Sequence, residues 1–189
     1  MLKNIILLGI QGSGKGTQAR KLATEYGYQI FETGGELRSI AKTKTPLGKK
    51  IATIINSGNL VDSETIMELV ENFVHEQEGR PILFDGIPRN KDQYDAFIQL
   101  EAKLKLQTHI INFDLSDQKA KERITSRAKT ENRADDTQEA IEKRISIFHS
   151  QTKPLLNEFA KSHEVVHINA DQSIDDIYKE LKSKINLNV

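Results

Sequence analysis

The segment at residues 9–17, Gly-Ile-Gln-Gly-Ser-Gly-Lys-Gly-Thr, contains residue types suited to binding a polyphosphate. It follows an apolar run at residues 5–8 and leads into a helix-like segment that begins near Lys15. Its glycines allow successive main-chain N–H groups to converge on one anion, beside the positive end of the helix dipole. The ammonium of Lys15 and the hydroxyl of Thr17 complete the pattern. We therefore predict a phosphate-binding loop made of Gly12, Ser13, Gly14, Lys15, Gly16 and Thr17.

Arginine is the second informative residue type. The chain has 19 lysines and eight arginines, so a merely solvated positive position would usually be lysine. Arginine binds phosphate oxygens through a planar fork and keeps its charge, whereas lysine acts as a point charge. Surface ion pairing would explain any single arginine, but it is a poor explanation for six that follow expected strand ends or lie around a polar segment at residues 129–136. The six are Arg38, Arg89, Arg123, Arg127, Arg133 and Arg144.

The sequence offers a metal ligand but no general base. Asp85 ends an apolar run and is placed to hold Mg²⁺ through water beside Thr17, although a turn cap is the alternative interpretation. The five histidines have no metal-ligand spacing, and no Ser-His-Asp arrangement stands out. An anionic phosphate nucleophile needs no base, so catalysis can reduce to alignment and charge neutralisation of a migrating phosphoryl group.

Five short apolar runs alternate with helix-like segments, which predicts a doubly wound α/β domain with a parallel sheet. Ligands of such sheets bind beyond the carboxyl ends of the strands. The loops after Leu8, Phe31, Asp85 and Asp114 are therefore expected to face one cleft. The expected strands are residues 5–8, 28–31, 81–86, 109–114 and 164–168.

Three local features are expected between these strands. Residues 32–35 should form a second glycine turn, at which the main chain approaches a ligand. The helix expected before the polar segment should end near residue 128. A long helix over residues 137–161 should contain Pro154 at a kink.

The bulk composition narrows the possible classes of partner. A chain of 189 residues can form one domain with a substantial core. Lys+Arg and Asp+Glu are 27 each, so nothing in the charge indicates nucleic acid or an anionic membrane as a partner. The absence of cysteine excludes disulfides and cysteine zinc sites, and it suits a reducing cytoplasm. No apolar run approaches membrane-spanning length, and the first one is expected to be a strand rather than a signal peptide.

Five motifs, in order across nearly the whole chain, resemble those of the adenylate kinase family. Gly16, which stands where the general P-loop pattern has Ser or Thr, is usual in this family. The resemblance implies a P-loop NTPase fold, with a five-stranded parallel sheet flanked by helices. The motifs are residues 12–18, 33–34 with 37–38, 58–61, 85–89, and 133–136 with Arg144.

The resemblance also implies a reaction and a set of roles. The reaction is reversible phosphoryl transfer from MgATP to AMP, giving two ADP and maintaining adenine nucleotide balance. Lys15 and the loop amides would hold the ATP phosphates together with Arg123 and Arg127, with Mg²⁺ on Thr17 and Asp85. AMP would contact Thr33, Gly34, Arg38, Leu60, Val61, Gly86, Arg89, Gln93, Arg133 and Arg144. The transferred group would meet Lys15, Arg89, Arg123, Arg127, Arg133 and Arg144, and Asp135 and Asp136 would orient a lid.

The implied organisation is a single kinase domain with two mobile parts. The core would comprise residues 1–31, 62–127 and 138–189, and the monophosphate-binding region residues 32–61. The lid at residues 128–137 is the short type, without the inserted hairpin and its zinc ligands. A cytoplasmic monomer that acts on ATP, AMP and ADP, without nucleic acid or membrane, is the expectation.

Two positions depart from the family pattern in the monophosphate region. The family usually has Ser or Ala where this chain has Glu32, and Asp where it has Gly35. We expect weaker AMP binding or altered selectivity from this exchange. A lesser departure is Gln11, where proline is common.

Two alternative functions remain open. Asn90 resembles the uridylate/cytidylate kinase branch, but that branch tends to have Asn where this chain has Gln93, and Gln93 with Leu60 and Val61 favours adenine. The second alternative is a P-loop protein that binds nucleotide without transferring a phosphoryl group.

Overall fold

A sheet of five parallel strands forms the centre of the structure, with neighbouring strands in the order β2-β3-β1-β4-β5. The structure is a computed structural model that describes residues 2–131 and 136–185, without the side chains of residues 129–131. Arg133 and Asp135 therefore lie outside the described residues. The prediction of a parallel α/β sheet with the P-loop NTPase fold is confirmed. The strands are β1 Asn4–Gly9, β2 Gln29–Glu32, β3 Ile82–Asp85, β4 Thr108–Asp114 and β5 Val165–Asn169.

Helices cover both faces of the sheet. Several begin at a side-chain cap, for example Asp62, whose carboxylate accepts from the N–H of Thr65 at 2.9 Å. No helix in the described part of the chain combines the length and apolar composition that a membrane crossing requires. The helices are α1 Lys15–Tyr26, α2 Thr33–Ala41, α3 Pro46–Asn56, α4 Ser63–Glu76, α5 Lys91–Leu104, α6 Asp117–Glu131, α7 Gln138–Ile147, α8 Leu155–Phe159 and α9 Ile174–Lys184.

The core lies on both sides of the sheet because successive strand residues point to opposite faces. Ile6 belongs to the cluster that packs against α4 and α5, where the Phe84 and Phe97 rings meet edge to face at 5.1 Å. Ile5 and Leu7 belong to the opposite cluster, with residues of α1 and α9. A third cluster packs the phosphate-binding loop against α6 and α7 through Ile10, Ala120, Ile124, Ile141 and Ile145.

The prediction of a glycine turn at residues 32–35 is wrong. Helix α2 already begins at Thr33, and Gly34 and Gly35 lie in its first turn. The glycines with positive φ lie elsewhere in the described residues. Glycine is compatible with both a left-handed turn and a helix, so two adjacent glycines did not distinguish between them.

The prediction of one kinked helix over residues 137–161 is also wrong. After α7, residues Phe148–Thr152 form a π-helical turn, in which the N–H of Lys153 donates to the carbonyl of Phe148 at 2.7 Å. Pro154 has no N–H to donate and its ring clashes with the carbonyl four residues earlier, which favours a wider turn before it. Helix α6 also differs from expectation, because it continues past residue 128 to Glu131.

Candidate active site

The phosphate-binding loop joins β1 to α1 with its N–H groups at the open end of the helix. Gly14, the N-cap residue, has a φ of 91°, and no side chain caps the first turn. Lys15 Nζ donates to the carbonyl oxygens of Gly9 at 2.8 Å and Ile10 at 3.1 Å. Burial lowers the pKa of Lys15, and the charge of Asp85 opposes that change. The loop therefore holds one partly buried cation close to the helix terminus.

Two glycines of the loop are closely packed against neighbouring groups. A Cβ on Gly12, whose φ is +85°, would lie 2.9 Å from the carbonyl oxygen of Ala120 on α6. A Cβ on Gly16 would lie 3.2 Å from Asp85 Oδ2 and 3.4 Å from Arg20 Nη1. Gly16 thus leaves room for the carboxylate of β3 against the first turn of α1.

Asp85 stands at the carboxyl edge of the sheet, opposite Leu7 of β1 and Glu32 of β2 in the strand register. Burial raises the pKa of the Asp85 carboxyl, and the charge of Lys15 opposes the rise. A buried carboxylate in this position gains from additional positive charge. Asp85 is therefore suited to face a cation held in the cleft.

Arg89 is held by hydrogen bonds of both its side chain and its main chain. Its Nε donates to the carbonyl of Gly86 at 2.8 Å, and a Cβ on Gly86 would lie 2.7 Å from its Nη2. Its N–H donates to Gln93 Oε1 at 2.8 Å, and its carbonyl accepts from Thr152 of the π-helical turn at 2.7 Å. Burial lowers the pKa of Arg89, and the positive charge of Arg144 adds to that effect. The guanidinium is thus preorganised in an environment that an anion would stabilise.

Arg38 lies on the first turns of α2, beside the carboxyl end of β2. A Cβ on Gly34 would lie 2.9 Å from its Nη1, so the guanidinium packs directly on that glycine. Its Nη2 donates to Glu32 Oε1 at 2.9 Å. The prediction that residues 32–35 carry a ligand contact is thus compatible with the helical start, because Gly34 makes room for the arginine.

Arg127 and Arg144 meet at a shared carboxylate. Asp136 Oδ2 accepts from Arg127 Nη2 at 2.7 Å, and its Oδ1 accepts from Arg144 Nη1 at 3.0 Å. The Asp136 side chain is buried. The residue predicted to orient the lid therefore fixes two of the arginines predicted to meet the transferred group.

Gln11 extends this arrangement to the phosphate-binding loop. With its amide oxygen turned toward the arginines, Oε1 accepts from Arg144 Nη1 at 3.0 Å and from Arg127 Nη2 at 2.9 Å. This orientation places the amide oxygen, rather than its NH₂, against the guanidinium donors. A glutamine at this position can therefore hold both arginines at the loop, whereas proline has no side-chain acceptor.

The end of α3 and the turn after it, in the region predicted to bind the monophosphate, contact α7. Gly58, with a φ of +72°, packs so closely that a Cβ would lie 2.8 Å from the carbonyl oxygen of Ala140. Arg144 Nη2 donates to the carbonyl of Ile55 at 3.0 Å. One arginine thus contacts α3, Gln11 and Asp136 together.

The predicted site residues surround one cleft of about 570 Å³. Ser13 is the exception among the described ones predicted for binding, because it is buried beneath the loop, with Lys15 Nζ 3.4 Å from its Oγ. Arg133 and Asp135 lie outside the described residues. The lining residues include Gly12, Gly14, Lys15, Gly16, Thr17, Thr33, Gly34, Arg38, Leu60, Val61, Asp85, Gly86, Arg89, Gln93, Arg123, Arg127 and Arg144.

Several lining residues were missed by the sequence analysis. Gln172, Ser173 and Ile174 follow β5, so the rule that ligands bind beyond strand ends would have found them. The segment after β4, which was expected to contribute its loop, instead lines the cleft through Arg123 and Arg127 on α6. Arg20 was overlooked because it sits one turn inside α1 and has no motif around it.

The metal expected at this site fits the residues present. Within residues 2–131 and 136–185, no group of three or more His, Asp or Glu side chains is arranged to hold a metal ion. Thr17 and Asp85 both line the cleft and supply oxygen donors. Mg²⁺ commonly binds through one or two protein oxygens while phosphate and water oxygens complete its shell.

The fold and the cleft define a class of protein. A phosphate-binding loop at the carboxyl edge of a parallel sheet, facing a second set of arginines, is typical of P-loop enzymes that transfer phosphoryl groups between two nucleotides.

Comparison with known proteins leads to the family. Residues 7–164 match the family model described as adenylate kinase. An adenylate kinase of Maricaulis maris is 35% identical over 92% of this chain and 94% of its own length. Adenylate kinase 1 of Schistosoma mansoni is 32% identical over 97% of this chain and 92% of its own length. Adenylate kinase isoenzyme 1 of Caenorhabditis elegans is 35% identical over 91% of this chain and 82% of its own length. The chain belongs to the adenylate kinase family, whose members act on small-molecule nucleotides.

Proposed function

We propose that this protein catalyses reversible phosphoryl transfer from MgATP to AMP, giving two ADP. The observation that carries the proposal is that the Lys15 loop, Arg38 with Arg89, and Arg123, Arg127 and Arg144 all line one cleft. A loop for one polyphosphate and a separate clamp for a second phosphate suit two nucleotides that react with each other.

The proposed chemistry needs positioning rather than a base. An oxygen of the AMP phosphate forms a bond to the γ-phosphorus of ATP, and the bond from that phosphorus to the β–γ bridging oxygen breaks. The electron pair of the broken bond remains on the ADP that leaves, so no proton moves. Charge accumulates on the phosphoryl oxygens during transfer, and preorganised cations stabilise it.

The residues divide into a donor side and an acceptor side. Lys15 and the N–H groups of the loop hold the ATP phosphates, while Arg38 and Arg89 clamp the AMP phosphate. Thr17 and Asp85 would hold Mg²⁺ through water, and the ion would supply neutralisation of phosphate charge when bound with ATP. Arg123, Arg127 and Arg144 neutralise the migrating group. Thr33, Leu60, Val61 and Gln93 surround the acceptor base.

The two predicted mobile parts belong to the same proposal. Residues 32–61 close over the monophosphate and residues 128–137 close over ATP, around a core of residues 1–31, 62–127 and 138–189. Closure excludes water, which would otherwise compete with AMP for the phosphoryl group. Asp136 favours the closed arrangement through its bonds to Arg127 and Arg144.

A panel of acceptors tests the function. ATP is supplied with AMP, dAMP, UMP or CMP at matched concentrations, and formation of both nucleoside diphosphates is measured. We expect AMP to be the best acceptor. Faster phosphorylation of UMP or CMP would assign the protein to the uridylate/cytidylate specificity instead.

A bisubstrate ligand tests the binding-only alternative. Diadenosine pentaphosphate spans both nucleotide positions, so it should raise the melting temperature well beyond the value with ATP alone. Equal protection by ATP, together with no phosphorylation of any monophosphate, would favour a protein that binds nucleotide without transfer.

Replacing Gln11 with alanine should slow turnover without unfolding the protein. The change removes the amide that contacts Arg127 and Arg144, and we expect kcat to fall roughly 3- to 10-fold, as for partial loss of a charge-assisted hydrogen bond. Steady-state kinetics and thermal melting measure the two effects. The matched control is Gln118→Ala on α6, where the exposed amide contacts only Glu122 among its described hydrogen bonds. Equal kcat values in the two variants would contradict the role of Gln11.

A further inference from the structure

Glu32 and Gly35 form one structural unit on the acceptor side of the cleft. A Cβ on Gly35 would lie 3.6 Å from both Cβ and Cδ of Glu32 and 3.7 Å from its Oε2. The Glu32 side chain therefore lies against Gly35, and a Cβ there would be in ordinary van der Waals contact with it. A charged side chain at position 35 would lie beside the Glu32 carboxylate.

The carboxylate reaches the arginine expected to bind the acceptor phosphate. Glu32 Oε1 accepts from Arg38 Nη2 at 2.9 Å, and the Glu32 and Arg38 side chains are 37% and 26% exposed. A pair this accessible can exchange partners, because water replaces part of each lost contact. Phosphate oxygens and carboxylate oxygens use the same guanidinium donors.

The surroundings of Glu32 are already negative on one side. Its strand register places it opposite Asp85, and its charge helps to raise the pKa of the Asp85 carboxyl. An acceptor phosphate held by Arg38 and Arg89 would bring further negative charge close to this carboxylate. Repulsion between the two anions then lowers the affinity for the phosphate.

We propose that Glu32 sets the affinity for the acceptor, because it competes, as an internal anion, with the acceptor phosphate for Arg38. It raises the acceptor KM without taking part in the transfer itself. The predicted change in the KM for AMP rests on the proposed adenylate kinase activity. The predicted change in AMP affinity concerns only the phosphate of the acceptor and does not depend on turnover.

The direct test is Glu32→Gln, which keeps the shape of the side chain and removes its charge. We expect the KM for AMP to fall about 3- to 30-fold, with the KM for ATP unchanged. The matched control is Glu36→Gln, which removes the same charge from α2, the helix that follows Glu32, at a residue outside the described cleft lining. An unchanged or higher KM for AMP in Glu32→Gln would overturn the proposal and make the Glu32–Arg38 pair a positioning contact.

Binding measurements separate this proposal from the function on which it rests. Calorimetric titration with AMP should show tighter binding to Glu32→Gln than to the unsubstituted protein, and the difference should narrow as salt is added. Adenosine, which lacks the phosphate, should bind both proteins equally. If neither protein phosphorylated AMP but the AMP and adenosine affinities differed as expected, only the proposed kinase activity would be refuted. If turnover were normal but these affinities did not differ as expected, only the role of Glu32 would be refuted.

The exchange of acids provides an independent test. Gly35→Asp alone would set a second carboxylate against Glu32, so we expect the KM for AMP to stay the same or rise. The double variant Glu32→Ser/Gly35→Asp restores the arrangement usual in the family and should lower the KM for AMP relative to the unsubstituted protein. A Gly35→Asp variant that lowered this KM as much as the double variant would contradict the competition.

Discussion

Lys15→Met is expected to lower kcat by at least about a hundredfold while the protein remains folded. The ammonium is held by the carbonyl oxygens of Gly9 and Ile10, so it is preorganised for the phosphate charge that develops during transfer. Burial disfavours the charged form of this lysine, and methionine of similar length removes that cost from the folded protein. We therefore expect lost turnover with a melting temperature close to the original value. Steady-state kinetics and circular dichroism measure the two quantities.

The matched control for this variant is Lys21→Met. Lys21 lies on the same helix, where its Nζ is 2.6 Å from Asp175 Oδ1 at the surface. Removing its charge should leave kcat unchanged, because the side chain is not among the described residues that line the cleft. Turnover of Lys15→Met equal to that of Lys21→Met would contradict the proposed mechanism.

Arg89→Lys is expected to be severely impaired although the positive charge is kept. The arginine uses Nε to hold the Gly86 carbonyl at 2.8 Å and has its remaining fork for the acceptor phosphate. A lysine ammonium is a point charge and cannot serve both partners with the same geometry. Loss of one charge-assisted hydrogen bond, about 1.5–3 kcal/mol, corresponds to a roughly 10- to 150-fold lower kcat/KM for AMP. The KM for ATP should change little.

Arg80→Lys provides a closely matched control. Arg80 also donates from Nε to the carbonyl three residues before it, that of Gln77 at 3.2 Å, but it lies after α4 and outside the described cleft lining. We expect normal AMP kinetics in this variant. Normal AMP kinetics in Arg89→Lys as well would argue against a forked clamp at the acceptor phosphate.

The parts of the fold that depend on local sequence were predictable. Continuous apolar runs such as residues 81–86 identify buried parallel strands, and all five predicted strands are present. The π-helical turn before Pro154 and the helical start at Thr33 were not predicted. In both cases the local signal, a proline or two glycines, permits more than one backbone conformation, and packing selects between them.

The candidate site likewise combines residues that the sequence predicted with contacts that it did not predict. The residue types of the loop, the strand-terminal Asp85 and the excess of arginines near expected strand ends all indicated phosphate chemistry from the sequence. The hydrogen-bond partners of these residues could not be predicted from the sequence. Gln11 meets Arg144 across 133 positions of the chain, and Asp136 holds Arg127 and Arg144 together. Sequence spacing carries no information about such contacts, because they depend on how α6 and α7 pack against the loop.

The sequence by itself predicted a polyphosphate site at residues 9–17 and, through the order of its motifs, indicated the family to which the chain belongs. Those properties depend on short segments in which glycines, Lys15 and a helix start act together. Only the tertiary structure decided which group Glu32, the acid that departs from the family pattern, contacts on the acceptor side. Glu32 Oε1 accepts from Arg38 Nη2 at 2.9 Å, and the proposed competition between a carboxylate and a phosphate depends on such distances, which folding creates.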